Sequence, residues 1–339
     1  FSLKKMETIK EIREKSGLIR VTKESGIPLL GCIAFGIIDR GTNLLQVRCT
    51  SLCNMNCEFC STDAGPYSKR HKVNYLVDVD YLVEEVDKVS KIKGNGLIIF
   101  LDSVGEPTTH PNFVDLVSKL KKLPSVKEVI VITNGTLLTK ERIDQLKEAG
   151  LDRVNISVHT LRPELGKKLF GMDNYSLESV LETIRYLRQR GIPVMITPVF
   201  MAGINDEDIE EIIRFAKINN CSIGLQNYEV YSHSRKIKGG KTQTYWKFYK
   251  RIDELEKRYD IKLKYHYEDL GIEKRERVPE SFSLGEKVRV KVVCPGWMPG
   301  QMIGIANERC ISINRCLRSI GDEMHVKILQ NKNNIYLAE

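Results

Sequence analysis

From Leu44 onward, apolar strand-like runs alternate with helical periodicity in a regular beat, and few architectures accept that order. The strand-like runs fall at 44–49, 97–102, 128–133, 152–158, 193–199 and 221–227. Apolar residues at helical spacing fill 78–91, 111–121, 139–149, 175–190 and 205–218 between them. Thr139, Ser176 and Asn205 stand where capping side chains open helices, and Gly150 and Gly191 where helices close. Six successive βα units with right-handed crossovers build a parallel sheet covered by helices. They predict an α/β fold, a full or partial (βα)6 TIM-like barrel. Active sites of such barrels lie at the C-terminal ends of the strands.

Residues able to do chemistry fall at those ends. After the first run comes Ser51-Leu52-Cys53-Asn54-Met55-Asn56-Cys57-Glu58-Phe59-Cys60, with three thiols inside eight residues. Thiolates this close converge on one soft metal centre, zinc or an iron–sulfur cluster. A closed zinc site wants a fourth ligand, and no Cys or His pair follows at zinc-finger spacing. Held by three thiolates, a cubane keeps one iron open. The later strand ends carry Ser103-Val104-Gly105-Glu106-Pro107, Thr133-Asn134-Gly135, Ser157-Val158-His159, Phe200-Met201-Ala202-Gly203 and Gln226-Asn227-Tyr228.

This cysteine loop resembles the signature of the radical S-adenosylmethionine (radical SAM) superfamily. The resemblance implies that Cys53, Cys57 and Cys60 hold a [4Fe-4S] cluster whose open iron chelates SAM. Reductive cleavage of SAM then gives methionine and a 5′-deoxyadenosyl radical that abstracts hydrogen from the substrate. It further implies that Phe59 packs near the adenine. Gly105-Glu106-Pro107 resembles the family's "GGE" segment at the SAM ammonium, with Val104 replacing the first glycine. Asn134 and Ser157 match positions that bond the ribose or carboxylate of SAM. His159 reads either as a SAM or substrate contact or as a hydrogen-bonded structural histidine. A zinc knot and three unrelated core thiols are the rival readings of the triplet.

At 339 residues, 42% hydrophobic and 29% charged, the chain has the length and composition of a soluble enzyme with one large and one small domain. No apolar run reaches membrane-spanning length. The start, Phe1-Ser2-Leu3-Lys4-Lys5, has neither Met nor a signal-peptide core and reads as a trimmed product. Nine clustered cysteines point to metal and to a reducing cytoplasm rather than to a disulfide framework. Cys32, Cys49 and Cys221 lie in apolar runs and read as core thiols. The net charge of +9 favours a polyanionic partner, although a modest lysine excess is common in enzymes.

Residues 3–15 read as an amphipathic helix with Leu18 on its apolar side, and 29–49 as a leading hairpin or strand, giving an extension over 1–42. The barrel core occupies 43–270, closed by a strand at 261–267, and the charged stretch 273–280 reads as a linker. The loop 229–242, with Arg235, Lys236, Lys238 and Lys241, suits phosphate contact. It precedes a helix, roughly 243–259, whose Tyr245, Trp246, Phe248 and Tyr249 are expected to face the sheet while its lysines meet water.

Residues 281–339 show five short strand-like runs with Gly-rich turns, as in a small antiparallel β-barrel. Gly285–Val290 and Val326–Glu339 resemble a TRAM domain, the RNA-binding barrel that follows the radical SAM core in tRNA methylthiotransferases. The barrel's Cys294, Cys310 and Cys316 are candidates for an auxiliary iron–sulfur cluster, a zinc site or plain core cysteines. The methylthiotransferases carry an N-terminal domain for their second cluster, and the chain before Cys53 is too short for one.

The sequence therefore leads to an expectation of a radical SAM enzyme that modifies tRNA, by analogy an adenosine near the anticodon such as position 37. Hydrogen abstraction would precede addition of a methylthio or one-carbon group. Partners would be tRNA and an electron donor such as ferredoxin or flavodoxin, with no membrane. The alternative is a peptide- or protein-modifying radical SAM enzyme with an auxiliary cluster in its tail. A third reading is a non-enzymatic RNA-binding protein with structural iron–sulfur.

Overall fold

Asp39-Arg40-Gly41-Thr42 turns the chain between two antiparallel strands, β2 (Gly36–Asp39) and β3 (Leu44–Arg48), with Gly41 in the left-handed region at φ 81°. The computed structural model describes residues 17–71 and 73–339, so the helix expected at 3–15 lies outside the described residues. Leu18 belongs to a strand, β1 (Gly17–Val21), which pairs in parallel with β4 (Val73–Val77). The chain divides into two compact units, one comprising the chain up to Asn54, Ser68–Val129 and Ile272–Glu339, the other Met55–Tyr67 and Ile130–Gly271.

In the first unit β3 pairs in parallel with β5 (Leu97–Leu101), and α1 (Val79–Lys93) and α2 (Phe113–Lys121) supply buried faces. Leu45, Val47, Leu97, Ile99 and Leu101 are fully buried. Asp78 caps α1, accepting from the amide of Tyr81. The expected linker at 273–280 is instead a bound strap. The amides of Arg275 and Asn43 donate to the carbonyls of Gly41 and Glu273. Asp39 Oδ2 accepts from the amide of Val278, while its Oδ1 meets Lys93 Nζ at 2.7 Å in a fully buried pair.

The tail forms a closed barrel from β12 (Lys287–Pro295), β13 (Met302–Ala306), β14 (Arg309–Ile313), β15 (Glu323–Gln330) and β16 (Leu337–Ala338), in the order β12-β13-β14-β16-β15. It is not wholly antiparallel, because β14 and β16 run parallel. That order and that one parallel pair are the Greek-key arrangement of an OB-type barrel. Val288, Val290, Val292, Ile311, Ile313, Val326, Ile328 and Tyr336 fill its interior.

In the second unit β6 (Val126–Thr133, within which the division falls), β7 (Arg153–Ile156), β8 (Val194–Ile196) and β10 (Ser222–Ile223) run parallel. The last two expected strands each break, leaving a separate parallel pair, β9 (Val199–Phe200) with β11 (Gln226–Asn227). Pro198, with no amide to donate, sits at the first break. The helices are α3 (Lys140–Glu148), α4 (Pro163–Phe170), α5 (Leu177–Gln189), α6 (Asp206–Ile218) and α7 (Tyr245–Tyr259).

Thr139 and Ser176 cap α3 and α5 as expected. Asn205 does not cap α6. Its side chain ties the amide of Met201 to the carbonyls of His159 and Val199. The expected strand at 261–267 does not form, because Glu256 on α7 accepts from the amides of Leu263 and Lys264 and takes the place of a ladder. Helix α4 was not expected; Pro163 opens it and Gly171 closes it at φ 61°. Among the described residues no helix is long and apolar enough to cross a membrane.

Candidate active site

In the first unit lie Cys53 and the Gly105-Glu106-Pro107 turn. A Cβ on Gly105 would lie 2.3 Å from the carbonyl oxygen of Leu52 and 2.5 Å from that of Ser51. The amide of Glu106 donates to the Leu52 carbonyl at 2.7 Å. The glycine is thus required by the two residues leading into Cys53. Glu106 is buried, and its Oε1 accepts from the amide and hydroxyl of Thr108 at 3.0 and 2.6 Å, capping the short turn that Pro107 begins. Beside them Asp102 accepts from Arg48 Nη2 and Gln46 Nε2, each at 2.8 Å.

In the second unit lie Cys57, Phe59, Cys60, Asn134, Ser157 and His159. Their loop is stitched to α4: the amides of Asn56 and Glu58 donate to the carbonyls of Phe170 and Leu169, each at 2.9 Å. Gly171 lies so close that an added Cβ would stand 2.1 Å from the Asn56 carbonyl oxygen. A turn closes over the pair, with the Cys60 amide donating to the Cys57 carbonyl at 3.2 Å. Phe59 is half-buried against Leu169, Met201, Tyr228 and Ile237, with its ring edge-on to His159 at 4.7 Å. Asn134 is buried, and its Oδ1 accepts from the amide and hydroxyl of Thr136. Ser157 is half-buried, its amide continuing the ladder to the Thr133 carbonyl at 2.9 Å.

His159 takes the structural role. It is 3% exposed, lies 5.2 Å from the Phe170 ring, and its Nδ1 accepts from the amide of Val199 at 3.0 Å. Burial lowers its pKa to about 3, so the ring is neutral, with its proton on Nε2. Its folded pKa lies below the ordinary value of 6.5. The unfolded chain therefore binds the extra proton, and stability falls as pH drops from about 6.5 toward 3. His159→Gln, which keeps an acceptor for Val199, should flatten that fall by up to about 1.4 kcal/mol per pH unit in urea titrations between pH 7 and 5. An unchanged slope would show that the ring is charged in the folded protein.

Asn155 escaped the sequence reading. It is 8% exposed and its Oδ1 has no hydrogen-bond partner. Alternation along β7 puts it on the same side of the strand as Ser157, the signal that could have found it. Such a buried acceptor without a donor is expected where a bound molecule completes the bond. Cys53, Cys57 and Cys60 are of intermediate exposure, unlike the buried Cys32, Cys49, Cys221, Cys294 and Cys310. Among the described residues no group of three or more His, Cys, Asp or Glu side chains is gathered into a metal site, and the cysteine loop offers the donor chemistry of an iron–sulfur cluster rather than its finished geometry.

The tail cysteines are arranged differently from the expected trio. Cys294 and Ile303 are cross-strand partners, as are Ile305 and Cys310, all on the barrel's outer face. Chain from the N-terminal side covers that face: the Cys310 amide donates to the Leu30 carbonyl at 2.7 Å, its Sγ meets the Pro28 carbonyl at 3.1 Å, and the Tyr336 amide donates to the Gly31 carbonyl at 3.1 Å. Burial together with the nearby Cys32 pushes Cys294 up to about 12, and Cys310 rises for the same causes. The neighbour of this pair is thus Cys32, whereas Cys316 sits beyond β14 with its Sγ 3.7 Å from Met324 Sδ.

Residues 47–216 match the model of the radical SAM superfamily. The chain is 37% identical over 340 residues to the uncharacterized protein MJ0103 of Methanocaldococcus jannaschii, a match spanning 92% of this chain and 78% of that one. It is 32% identical over 193 residues to the GTP 3′,8-cyclase of Aquifex aeolicus, spanning 57% of this chain and 58% of the relative. Streptococcus suis SuiB shares the fold at a TM-score of 0.52 and 17% identity, over 72% of this chain and 51% of that one. The chain belongs to the radical SAM superfamily, whose members use a [4Fe-4S] cluster and SAM. It spans little more than half the length of the GTP 3′,8-cyclases it matches.

Proposed function

We propose that the enzyme abstracts hydrogen from an unactivated carbon of a polypeptide. Cys53, Cys57 and Cys60 would hold the cluster, and Asn155, with Ser157 beside it, would bond the cofactor or substrate. When bound, cluster and SAM supply the 5′-deoxyadenosyl radical. Buried and neutral, His159 holds Phe59 and the Val199 amide in place and moves no proton.

One observation carries the choice of polypeptide over tRNA. OB-type barrels take oligonucleotides on the outer face of their second and third strands and on the loop joining the first two. Here that face is covered, with Ile303 and Cys310 fully buried and Ser312 6% exposed. The first loop points inward too: the ring of Trp297 stacks on His71 at 3.8 Å, and Tyr75 donates to the Pro295 carbonyl. This covering argues against a TRAM-like grip on RNA through the face of β13 and β14.

A second reading, a tRNA substrate modified near position 37, is favoured by α7. Its aromatics do not face the sheet as expected. Only Phe248 is buried, while Tyr245, Trp246 and Tyr249 are 55%, 70% and 46% exposed. Lys250 lies 5.5 Å over the Trp246 ring and Lys264 5.9 Å over that of Tyr249, an arrangement suited to stacked bases.

Filter binding to bulk tRNA across a salt series separates the two. Weak binding with little salt dependence supports the polypeptide. Micromolar or tighter binding that weakens steeply with salt, and by roughly 10-fold in Trp246→Ala, overturns it in favour of tRNA.

A further inference from the structure

The loop 229–242 was expected to meet phosphate, but its arginine is committed elsewhere. Arg235 Nε forms an ion pair with Asp63 Oδ1, and both side chains are largely buried, at 16% and 6% exposure. Its Nη1 donates to the Cys57 carbonyl at 3.0 Å, and its Nη2 to the Ala64 and Asp63 carbonyls at 2.8 and 3.3 Å. The Arg235 amide donates to the Cys60 carbonyl at 2.8 Å, and the neighbouring Ser234 hydroxyl to that of Ser61 at 3.1 Å. Asp63 itself is a non-glycine residue held at φ 57°, a conformation that persists only when its surroundings impose it.

One residue therefore binds the peptide carbonyls of both cysteines, and its guanidinium fork also holds the loop that follows them. We propose that Arg235 is the positioning residue of the cysteine loop, setting Cys57 and Cys60 before iron and sulfide arrive. The role is geometric rather than a matter of charge, because Asp63 neutralises the guanidinium locally. Lysine, a single point donor on a flexible stem, cannot replace a fork that spans three carbonyls. The inference rests on Cys57 and Cys60 being cluster ligands.

The test uses the full chain as wild type, Arg235→Lys, Arg235→Gln and Cys57→Ala, reconstituted anaerobically with iron and sulfide. Three quantities are read: iron per chain, the rate at which a chelator strips the iron, and the melting temperature of the metal-free protein. Both Arg235 variants should release iron about 10- to 100-fold faster, the range seen when groups orienting metal ligands are removed. Metal-free melting should stay within a few degrees of wild type, and lysine should rescue little. Release at the wild-type rate overturns the proposal. So does a loss of metal-free melting that accounts for the faster release, which would make Arg235 merely structural. If Arg235→Gln does not fold, Asp63→Asn, which weakens the same clamp at its other end, is read against the same criteria. Full, slowly released iron in Cys57→Ala would instead remove the cluster assignment on which the inference stands.

Discussion

Cys57→Ala is expected to give a folded chain whose release of 5′-deoxyadenosine, with dithionite and SAM, falls at least ~100-fold, because removing a ligand costs more than disturbing its support. Cys316→Ala is expected to match wild type, since its thiol packs against Met324 apart from the Cys32, Cys294 and Cys310 group. Reconstituted wild type should carry about four irons, the content of one cubane. About eight would restore an auxiliary cluster to the tail. Zinc in place of iron, or undiminished 5′-deoxyadenosine from Cys57→Ala, would overturn the assignment of the first triplet.

Gly31→Ala should be among the most destabilising single changes in the first unit. Gly31 has φ 113°, and an added Cβ would stand 2.1 Å from the carbonyl oxygen of Cys310 and 2.6 Å from its amide nitrogen, both rigid barrel backbone. Strain and overpacking together should cost roughly 3–5 kcal/mol. Gly26→Ala is the control: its φ of 65° is also left-handed, but nothing lies within 4 Å of the added Cβ, so about 1 kcal/mol is expected. Urea unfolding followed by far-UV circular dichroism compares them. Equal midpoints would show that the segment Pro28–Cys32 is not seated on the barrel.

Much of this was readable before any coordinates. Repeating strand–helix periods located the core, because each unit satisfies its backbone locally and buries one face. The cysteine spacing pointed to the family, because few other uses need three thiols in one turn of loop. What could not be read depends on chain distant in sequence. That Ser51 and Leu52 crowd Gly105 and require a glycine there could not be read from the Gly105 segment itself. The first four aromatics of α7 have the composition of a buried stripe, and only packing reveals that three of them are exposed. Arg235 sits in a basic run that resembles a phosphate loop, and its partners lie about 170 positions earlier. The tail's cysteines were grouped by nearness in sequence, whereas the fold brings in Cys32.

The first unit draws on three separated stretches of chain, the last of them holding the barrel strands. On a ribosome adding about 5–20 residues each second, the stretch 130–271 emerges before those strands exist. The outward thiols of β12 and β14 and the segment from Pro28 must then find each other late, across more than 250 intervening positions. Cys53 belongs to that late-completed unit and Cys57 to the other. The first unit therefore reaches its final packing only after its last strands have been made.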